Sequence, residues 1–249
     1  MKSLGIIGGT GLSSFNGFET IQKHSDLNSE LGRPSCDVVE GVLGEVRVLF
    51  LPRHGEHHSL APHKINYRAN LLVLQQLGVD EIIAVNAVGG IAQKAKAGHI
   101  SVPDQIIDYT SGRENTFFDG DFKTAHHIDF SYPYKQEIRL KLISILSRKT
   151  LIHGFSDTGV YAATQGPRLE SIAEIQRLEQ DGCDLVGMTG MPEAALAREL
   201  GIPYASLCLV VNRAAGKSDQ LITLEDIRSV IASGMIDVQS VIADYCNYL

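Results

Sequence analysis

The sequence predicts a single α/β domain in which a largely parallel or mixed sheet carries helices on both faces. Short apolar runs typical of buried strands alternate along the chain with segments of helical periodicity. Gly, Pro and Asp separate these segments, and no repeat, low-complexity tract or linker interrupts them. The 249 residues can bury one large core, since α/β domains of about 250 residues are common. We therefore expect one domain over residues 1–249.

The predicted strands are short apolar runs bounded by turn residues. Val38–Val42 and Val46–Leu51 flank Leu43-Gly44, and this arrangement predicts a hairpin. The other predicted strands are Ser3–Ile7, Glu81–Asn86, Gln105–Asp108, Val160–Ala163 and Tyr204–Val211.

Four segments have the apolar spacing of helices. They are Asn66–Leu77, which Gly78 ends, Arg168–Gln180, Pro192–Leu200 and Thr223–Tyr245. The last of them begins with the capping pattern Thr223-Leu224-Glu225-Asp226. The polar and aromatic segment Thr110–Tyr134 is long for a connection, so we expect either a functional lid or a disordered stretch there.

The charge balance limits the classes of partner. The chain has 22 Lys+Arg against 29 Asp+Glu, a formal charge of −7. This balance argues against broad binding to nucleic acid or to an acidic membrane, which needs a cationic surface. A local cluster of hydrogen-bond donors could still bind a small anion.

The apolar segments and the cysteines predict a cytoplasmic protein. No apolar stretch approaches the roughly 18 residues of a membrane span, and the first apolar run is too short for a signal peptide. The four cysteines are widely spaced without a CxxC pair, which predicts reduced thiols rather than a disulfide framework or a zinc site.

Six glycine-rich or polar elements follow predicted strands, where open α/β sheets bind their ligands. They are Gly8-Gly9-Thr10-Gly11, Arg53-His54-Gly55, Asn86-Ala87, Gly166-Pro167-Arg168, Met188-Thr189 and Asn212. Backbone N–H groups of the first could surround an anion, and a tight turn between strand and helix is the alternative. The planar fork of Arg53 suits a phosphate because it can bind two oxygens at once.

The histidines around Arg53 do not predict a metal site. His54, His57, His58 and His63 lie close together in sequence, but no HExxH pattern or paired carboxylate spacing accompanies them. We expect this segment to bind an anion or a substrate, with a solvated polar loop as the alternative. We expect neither a metal nor a cofactor.

Taken in order, the six elements resemble those of the trimeric nucleoside phosphorylases, in particular the 5′-methylthioadenosine phosphorylase and methylthioinosine phosphorylase group. The resemblance runs from residue 4 to about residue 240. It implies a three-layer αβα fold with a central mixed twisted sheet and a homotrimer. It also implies an enzyme of purine salvage that cleaves a purine nucleoside with inorganic phosphate, giving free purine and a ribose 1-phosphate.

The resemblance assigns roles to individual residues. Phosphate would be held by Thr10, Arg53, His54, Asn86, the Ala87 backbone and Thr189. The sugar would contact Met188, and His58 would reach the 5′ pocket of the neighbouring subunit. The base would contact Leu169, Glu170, Asn212 and Ala214, with Glu170 and Asn212 as the groups active in catalysis.

The base-binding positions differ from those of the methylthioadenosine enzymes, which have a Ser and an Asp-x-Asp pair where this chain has Glu170, Asn212 and Ala214. A 6-oxopurine offers an N1–H donor to Glu170 and an O6 acceptor to the Asn212 amide, whose carbonyl can accept from a protonated N7. Adenine reverses this pattern, and each mismatched buried polar group costs roughly 1–3 kcal/mol. The sequence therefore predicts a preference for hypoxanthine over adenine. An exposed residue in the first helical turn is the alternative for Glu170.

Recognition of the 5′ group of the substrate is expected at the start of the last helix. Inosine-cleaving relatives have a histidine there that binds the 5′-hydroxyl, and the matching position here is Leu224. With Ile227 it could line a pocket for a methylthio group, and simple packing of both residues in the helix core is the alternative.

We therefore expect a methylthioinosine phosphorylase. The alternatives are an inosine/guanosine phosphorylase, a methylthioadenosine phosphorylase, a hydrolytic nucleosidase and a non-catalytic nucleotide-binding module that uses Gly8–Gly11.

Overall fold

Eleven strands form one mixed sheet in the computed structural model, which describes residues 1–9 and 17–249. The strands are β1 (Ser3–Gly8), β2 (Phe18–His24), β3 (Val38–Leu43), β4 (Val46–Pro52), β5 (Glu81–Gly90), β6 (Ile100–Ser101), β7 (Gln105–Asp108), β8 (Phe155–Ser156), β9 (Val160–Ala163), β10 (Leu185–Gly187) and β11 (Tyr204–Arg213). The α-helices in the described part of the chain are α1 (Tyr67–Gln76), α2 (Gln136–Leu146), α3 (Ile172–Gln180), α4 (Gly190–Glu199) and α5 (Leu224–Cys246), and short 3-10 helices span Glu56–His58 and Pro62–Lys64.

Strand β5 is the centre of the sheet. The main order is β2-β3-β4-β1-β5-β10-β9-β7, and β11 branches from β5 to pair with β6, which pairs with β8. β5 runs parallel to β1 and β11 and antiparallel to β10. The register of β5 with β11 shifts between Val210 and Asn212, where β11 has an irregularity. The parallel pairs bring the carboxyl ends of β4, β1, β5 and β11 to the same edge.

Helices cover both faces of the sheet. One apolar cluster joins α1 and α4 to one face, and a second joins α2 and α5 to the other face. A third, smaller cluster contains Ile175 and Leu178 of α3. This three-layer arrangement around a mixed sheet confirms the predicted fold class.

The structure gives several elements bounds that differ from the predicted ones. The hairpin of β3 and β4 is confirmed, and β7 and β9 have the predicted bounds. β5 continues through Gly89 and Gly90 because both pair with β10 and β11. The elements β2, β6, β8, β10 and α2 have no counterpart among the predicted ones.

The start of α3 corrects the prediction of a helix from Arg168. The helix begins at Ile172 because Ser171 caps it: the Ser171 hydroxyl accepts from the Glu174 N–H, and the Glu174 carboxylate accepts from the Ser171 N–H. The start of α5 agrees with the capping pattern, since the Thr223 hydroxyl accepts from the Asp226 N–H.

The segment 109–135 crosses from β7 to α2 without a helix or strand, and side chains fasten it to the molecule. Phe117 is fully buried, and its N–H donates to the Glu199 carboxylate at 2.6 Å. Arg68 forms ion pairs of 2.6 Å with both Glu114 and Asp119 of the segment. The segment for which the sequence predicts a lid or a disordered stretch is therefore attached to the rest of the molecule at defined points.

The structure also bears on the membrane and cysteine predictions. In the part of the chain that the structure describes, no helix is both long enough and apolar enough to cross a bilayer. All four cysteines are free thiols, and Cys183, Cys208 and Cys246 are buried.

Candidate active site

A cavity of about 610 Å³ opens at the edge where the carboxyl ends of β4, β5 and β11 meet. Its volume lies within the roughly 300–1,000 Å³ range of small-molecule sites. The structure brings ten of the predicted site residues to its wall: Arg53, His54, His58, Ala87, Leu169, Glu170, Met188, Thr189, Asn212 and Ala214. Of the remaining three, Thr10 lies outside the described residues, Asn86 lies behind the wall and Leu224 lies outside the cavity.

Arg53 follows β4 and is paired with a carboxylate that the sequence analysis did not identify. Its Nε and Nη2 donate to the two carboxylate oxygens of Glu193 at 3.0 and 2.7 Å. Arg53 is 2% exposed and Glu193 is 0% exposed, and Glu193 also accepts from the Tyr204 hydroxyl at 2.9 Å. Burial alone would lower the pKa of Arg53, but the Glu193 carboxylate raises it above its ordinary value.

The remaining donors of Arg53 are nearly all engaged. Nη1 donates to the Val85 carbonyl at 2.8 Å and Nη2 also donates to the Ile7 carbonyl at 3.4 Å. A guanidinium has five N–H groups, so these bonds leave one Nη1 hydrogen for a ligand. The ion pair therefore holds the guanidinium in place at the cavity wall, and the guanidinium can donate only one hydrogen bond to a ligand.

His54 and His58 stack on each other at the same end of the cavity. Their ring centroids are 4.1 Å apart, with an angle of 20° between the planes. His54 Nδ1 lies 2.9 Å from the Leu60 carbonyl, which can only accept, so Nδ1 carries the hydrogen. Burial lowers the pKa of His54 to about 4 and also lowers the pKa of His58. The neutral His54 ring thus has its lone pair on Nε2.

Thr189 joins the cavity to a buried polar chain. Its hydroxyl donates to the Asn86 side-chain carbonyl at 3.0 Å, and Asn86 Nδ2 donates to the Ser206 hydroxyl at 2.7 Å. Asn86 is 1% exposed, so its side chain supports Thr189 from behind. The adjacent Ala87 lines the cavity directly.

Another part of the wall carries the predicted base-binding residues. Glu170 precedes α3 by two residues and accepts from the Thr164 hydroxyl at 2.6 Å. It is half-buried and lines the cavity, in contrast to the alternative of an exposed residue in the first helical turn. Asn212 Nδ2 donates to the Arg213 carbonyl at 2.8 Å. This bond leaves the Asn212 amide with a second N–H and its carbonyl oxygen.

The apolar part of the wall comes from the start of α5. Ile227, Ile231 and Met235 line the cavity at i, i+4 and i+8 spacing, and Ile222 precedes them. Leu224 shares this face of the helix, but it is the first residue of α5, is 69% exposed and does not line the cavity. The helical period of the sequence contains Ile231 and Met235, so extending it from Ile227 would have identified both.

The described residues contain no group of three or more His, Cys, Asp or Glu arranged to hold a metal ion. The polar groups at the cavity are instead arranged for hydrogen bonding: a fixed guanidinium, a neutral histidine pair, a hydroxyl, a carboxylate and an amide.

Comparison with known proteins assigns the family. Residues 3–247 match the phosphorylase superfamily. The probable S-methyl-5'-thioinosine phosphorylase of Pseudomonas syringae pv. tomato is 51% identical, covering 98% of both chains. The 6-oxopurine nucleoside phosphorylase of Pyrococcus furiosus is 40% identical, covering 97% of this chain and 91% of its own.

A solved structure agrees with this assignment. Methylthioadenosine phosphorylase from Schistosoma mansoni, in complex with adenine, has a TM-score of 0.91 and 30% identity, covering 98% of this chain and 91% of that one. These findings confirm the resemblance that the sequence motifs indicate. The chain therefore belongs to the phosphorylase superfamily, as an enzyme of the purine nucleoside phosphorylase type.

Proposed function

We propose that the enzyme cleaves S-methyl-5′-thioinosine with phosphate to hypoxanthine and 5-methylthioribose 1-phosphate. The observation that carries the proposal is the placement of the Glu170 carboxylate and the Asn212 amide on one cavity wall. The same cavity is lined by Arg53, His54 and Thr189, the candidate phosphate ligands. The neutral His54 could bind hydrogen phosphate by accepting from its O–H at Nε2.

The reaction requires positioning and charge stabilisation rather than a covalent protein intermediate. A phosphate oxygen forms a bond to C1′ while the C1′–N9 bond breaks and its electron pair moves to the purine. Positive charge develops on the sugar, and a phosphate anion held beside C1′ stabilises it. The purine leaves more easily with a proton at N7, and the Asn212 carbonyl can accept the hydrogen bond of that N7–H.

The base preference follows from the donors and acceptors of the wall. Glu170 accepts from an N1–H, and the free N–H of Asn212 donates to an O6. Adenine would place the bare N1 acceptor against the Glu170 carboxylate and its amine against the Asn212 donor. A site with such unpaired buried groups rejects the wrong base strongly.

The apolar wall supports a methylthio group at the 5′ position. Ile222, Ile227, Ile231 and Met235 offer no hydrogen bond, and a thioether gains from burial against such side chains. The relative from Pseudomonas syringae, named for methylthioinosine, supports the same substrate. Phosphorolysis of inosine or guanosine is the second candidate, since Glu170 and Asn212 contact only the base.

We also propose a cytoplasmic homotrimer in which His58 reaches the 5′ pocket of a neighbouring subunit, on the basis of the family resemblance. Within its own chain His58 lines the cavity beside His54. The four free thiols support a reducing compartment.

A phosphate-dependence assay with methylthioinosine, inosine and methylthioadenosine tests the proposal. We expect turnover only with phosphate, release of hypoxanthine, and kcat/KM for methylthioinosine about 100-fold or more above that for methylthioadenosine. A preference for methylthioadenosine would contradict the roles of Glu170 and Asn212, and a preference for inosine would favour the second candidate. Turnover without phosphate would indicate a nucleosidase, and binding without turnover a non-catalytic module.

A further inference from the structure

We propose that Arg113 is a positioning residue that holds two adjacent walls of the cavity, formed after β9 and after β10, in a fixed arrangement and thereby sets the base preference. Arg113 does not line the cavity and has no role among the residues assigned so far. It lies in the segment 109–135, which crosses beside the site without forming a helix or strand. The proposal rests on the proposed function, since it concerns how that site recognises its base.

The first set of Arg113 contacts holds the wall that leads to Glu170. Nη2 donates to the Gln165 carbonyl at 2.9 Å and to the Thr164 carbonyl at 3.2 Å. Nε donates to the Gln165 side-chain oxygen at 3.2 Å. The Thr164 hydroxyl in turn donates to Glu170 at 2.6 Å, so Arg113 fixes the residue that orients the candidate base-binding carboxylate.

The second set of contacts holds the adjacent wall, which follows β10. Nη1 donates to the Met188 carbonyl at 2.8 Å and to the Met191 carbonyl at 2.7 Å. These carbonyls flank Thr189, which lines the cavity together with Met188. The backbone already joins these segments through the bond from the Thr164 N–H to the Gly187 carbonyl at 2.8 Å. The Arg113 guanidinium adds contacts to both segments beyond that last strand pair.

The geometry of the guanidinium explains why this position needs an arginine. Its nitrogens lie in one plane, with donors that diverge toward the two walls. Arg113 also lies over the Tyr67 ring, 5.6 Å from its centroid, and Nη1 lies 3.3 Å from the Tyr67 hydroxyl. A lysine would keep the charge but could not reach acceptors on both walls with one ammonium group.

Other contacts hold the same segment without touching the cavity walls. Arg68 binds Glu114 and Asp119, and Glu199 accepts from Thr116 and Phe117. Arg68→Ala is therefore a matched control. It weakens the attachment of the segment but leaves every contact between Arg113 and the walls in place.

The experiment compares Arg113→Ala, Arg113→Lys and Arg68→Ala with the unmodified enzyme. The readouts are kcat and KM for methylthioinosine and methylthioadenosine, the KM for phosphate, and the melting temperature. We expect both Arg113 variants to reduce the ratio of the two kcat/KM values about tenfold or more, because a small displacement of Glu170 weakens recognition of N1–H. Arg68→Ala should leave the ratio unchanged.

Chemical rescue separates positioning from a general loss of structure. Guanidinium chloride at a few millimolar should restore part of the selectivity of Arg113→Ala and have no effect on Arg113→Lys, whose side chain occupies the site. An unchanged ratio in the Arg113 variants, or an equal loss in Arg68→Ala, would overturn the proposal. If Arg113→Ala fails to fold, the ratio in Arg113→Lys decides.

The outcomes for Arg113 and for the proposed function remain distinguishable. The unmodified enzyme alone tests whether a 6-oxopurine nucleoside is preferred. The Arg113 variants are compared with whatever ratio that enzyme has, so a loss of selectivity supports Arg113 in either case.

Discussion

At the residue scale, the candidate phosphate end of the cavity carries little net charge. Arg53 and Glu193 form a buried pair whose charges compensate each other. His54 is neutral near pH 7 because burial lowers its pKa to about 4. An anion there would be held by directed hydrogen bonds, such as one from the remaining Arg53 N–H, rather than by a net positive charge, which agrees with an acidic chain of charge −7.

The amide of Asn212 gives a prediction for base selectivity. Asn212→Asp replaces the N–H that we propose donates to O6 with a second acceptor, which suits the amine of adenine. We expect the kcat/KM ratio of methylthioadenosine to methylthioinosine to rise about tenfold or more. The measurement is the two kcat/KM values under saturating phosphate.

Asn212→Ala is the matched control, since it removes both hydrogen-bonding groups. It should lower kcat/KM for both substrates without reversing their order. An unchanged ratio in Asn212→Asp would contradict the placement of the base.

At the element scale, the end of β5 has two adjacent glycines with different surroundings. A Cβ at Gly89 would lie 3.1 Å from Val186 Cγ1 and 3.5 Å from Asn212 Nδ2, at the cavity wall. A Cβ at Gly90 would lie 1.8 Å from the Ala95 carbonyl oxygen. Successive residues of a strand face opposite sides, so one glycine borders the ligand space and the other borders backbone.

Substitution by alanine should therefore affect substrate binding at Gly89 and stability at Gly90. Gly89→Ala should keep the fold but raise the nucleoside KM several-fold, because the new methyl group crowds the space beside Asn212. Gly90→Ala should destabilise the protein by about 3 kcal/mol or more, because backbone must move. Thermal unfolding and the KM of both variants provide the measurements, and a fully stable Gly90→Ala would contradict the structure of this strand end.

The elements that the sequence predicted are those with a clear periodicity or cap. β6 and β8 have two residues each, too few for any pattern, and the mostly exposed β2 lacks a buried face. The start of α3 was misplaced because Arg168 and Leu169 continue the apparent helical spacing, whereas the Ser171 cap decides the boundary.

The candidate site could be predicted to the extent that it lies at strand ends. Ten side chains come together because the carboxyl ends of neighbouring strands share one edge. Glu193 could not be paired with Arg53 in advance, since 140 residues separate them and only the tertiary fold brings them together. The wall contacts of Arg113 likewise span 51 to 78 residues.

At the scale of the whole molecule, buried histidines make stability depend on pH. Burial lowers the pKa of His54 to about 4 and also lowers the pKa values of His58 and His99. The unfolded chain, with ordinary histidine pKa values near 6.5, binds more protons between pH 4 and 6.5. The free energy of unfolding should therefore decrease as the pH is lowered from 6.5 to 4, by at most about 1.4 kcal/mol per pH unit for each histidine.

Urea unfolding at pH 7, 6 and 5 measures this dependence. His54→Gln should show a smaller decrease than the unmodified protein, because its amide can still donate to the Leu60 carbonyl but does not titrate. His127→Gln, at an exposed position, is the control and should leave the dependence unchanged. Equal decreases in all three proteins would contradict a contribution from His54.

The two halves of helix α5 differ in how deeply they are buried. No residue of the helix before Gly234 is fully buried, whereas Val238, Val241, Ile242 and Tyr245 are anchored in the core. Free energies of local opening follow such differences in burial, so we expect the first half to open more readily than the second. Because Ile227 and Ile231 of the first half line the cavity, we expect opening of that half to widen access to the cavity at a lower free energy than global unfolding. We therefore expect the exchange rate of ligands to depend on the first half of α5 and the lifetime of the fold to depend on its second half.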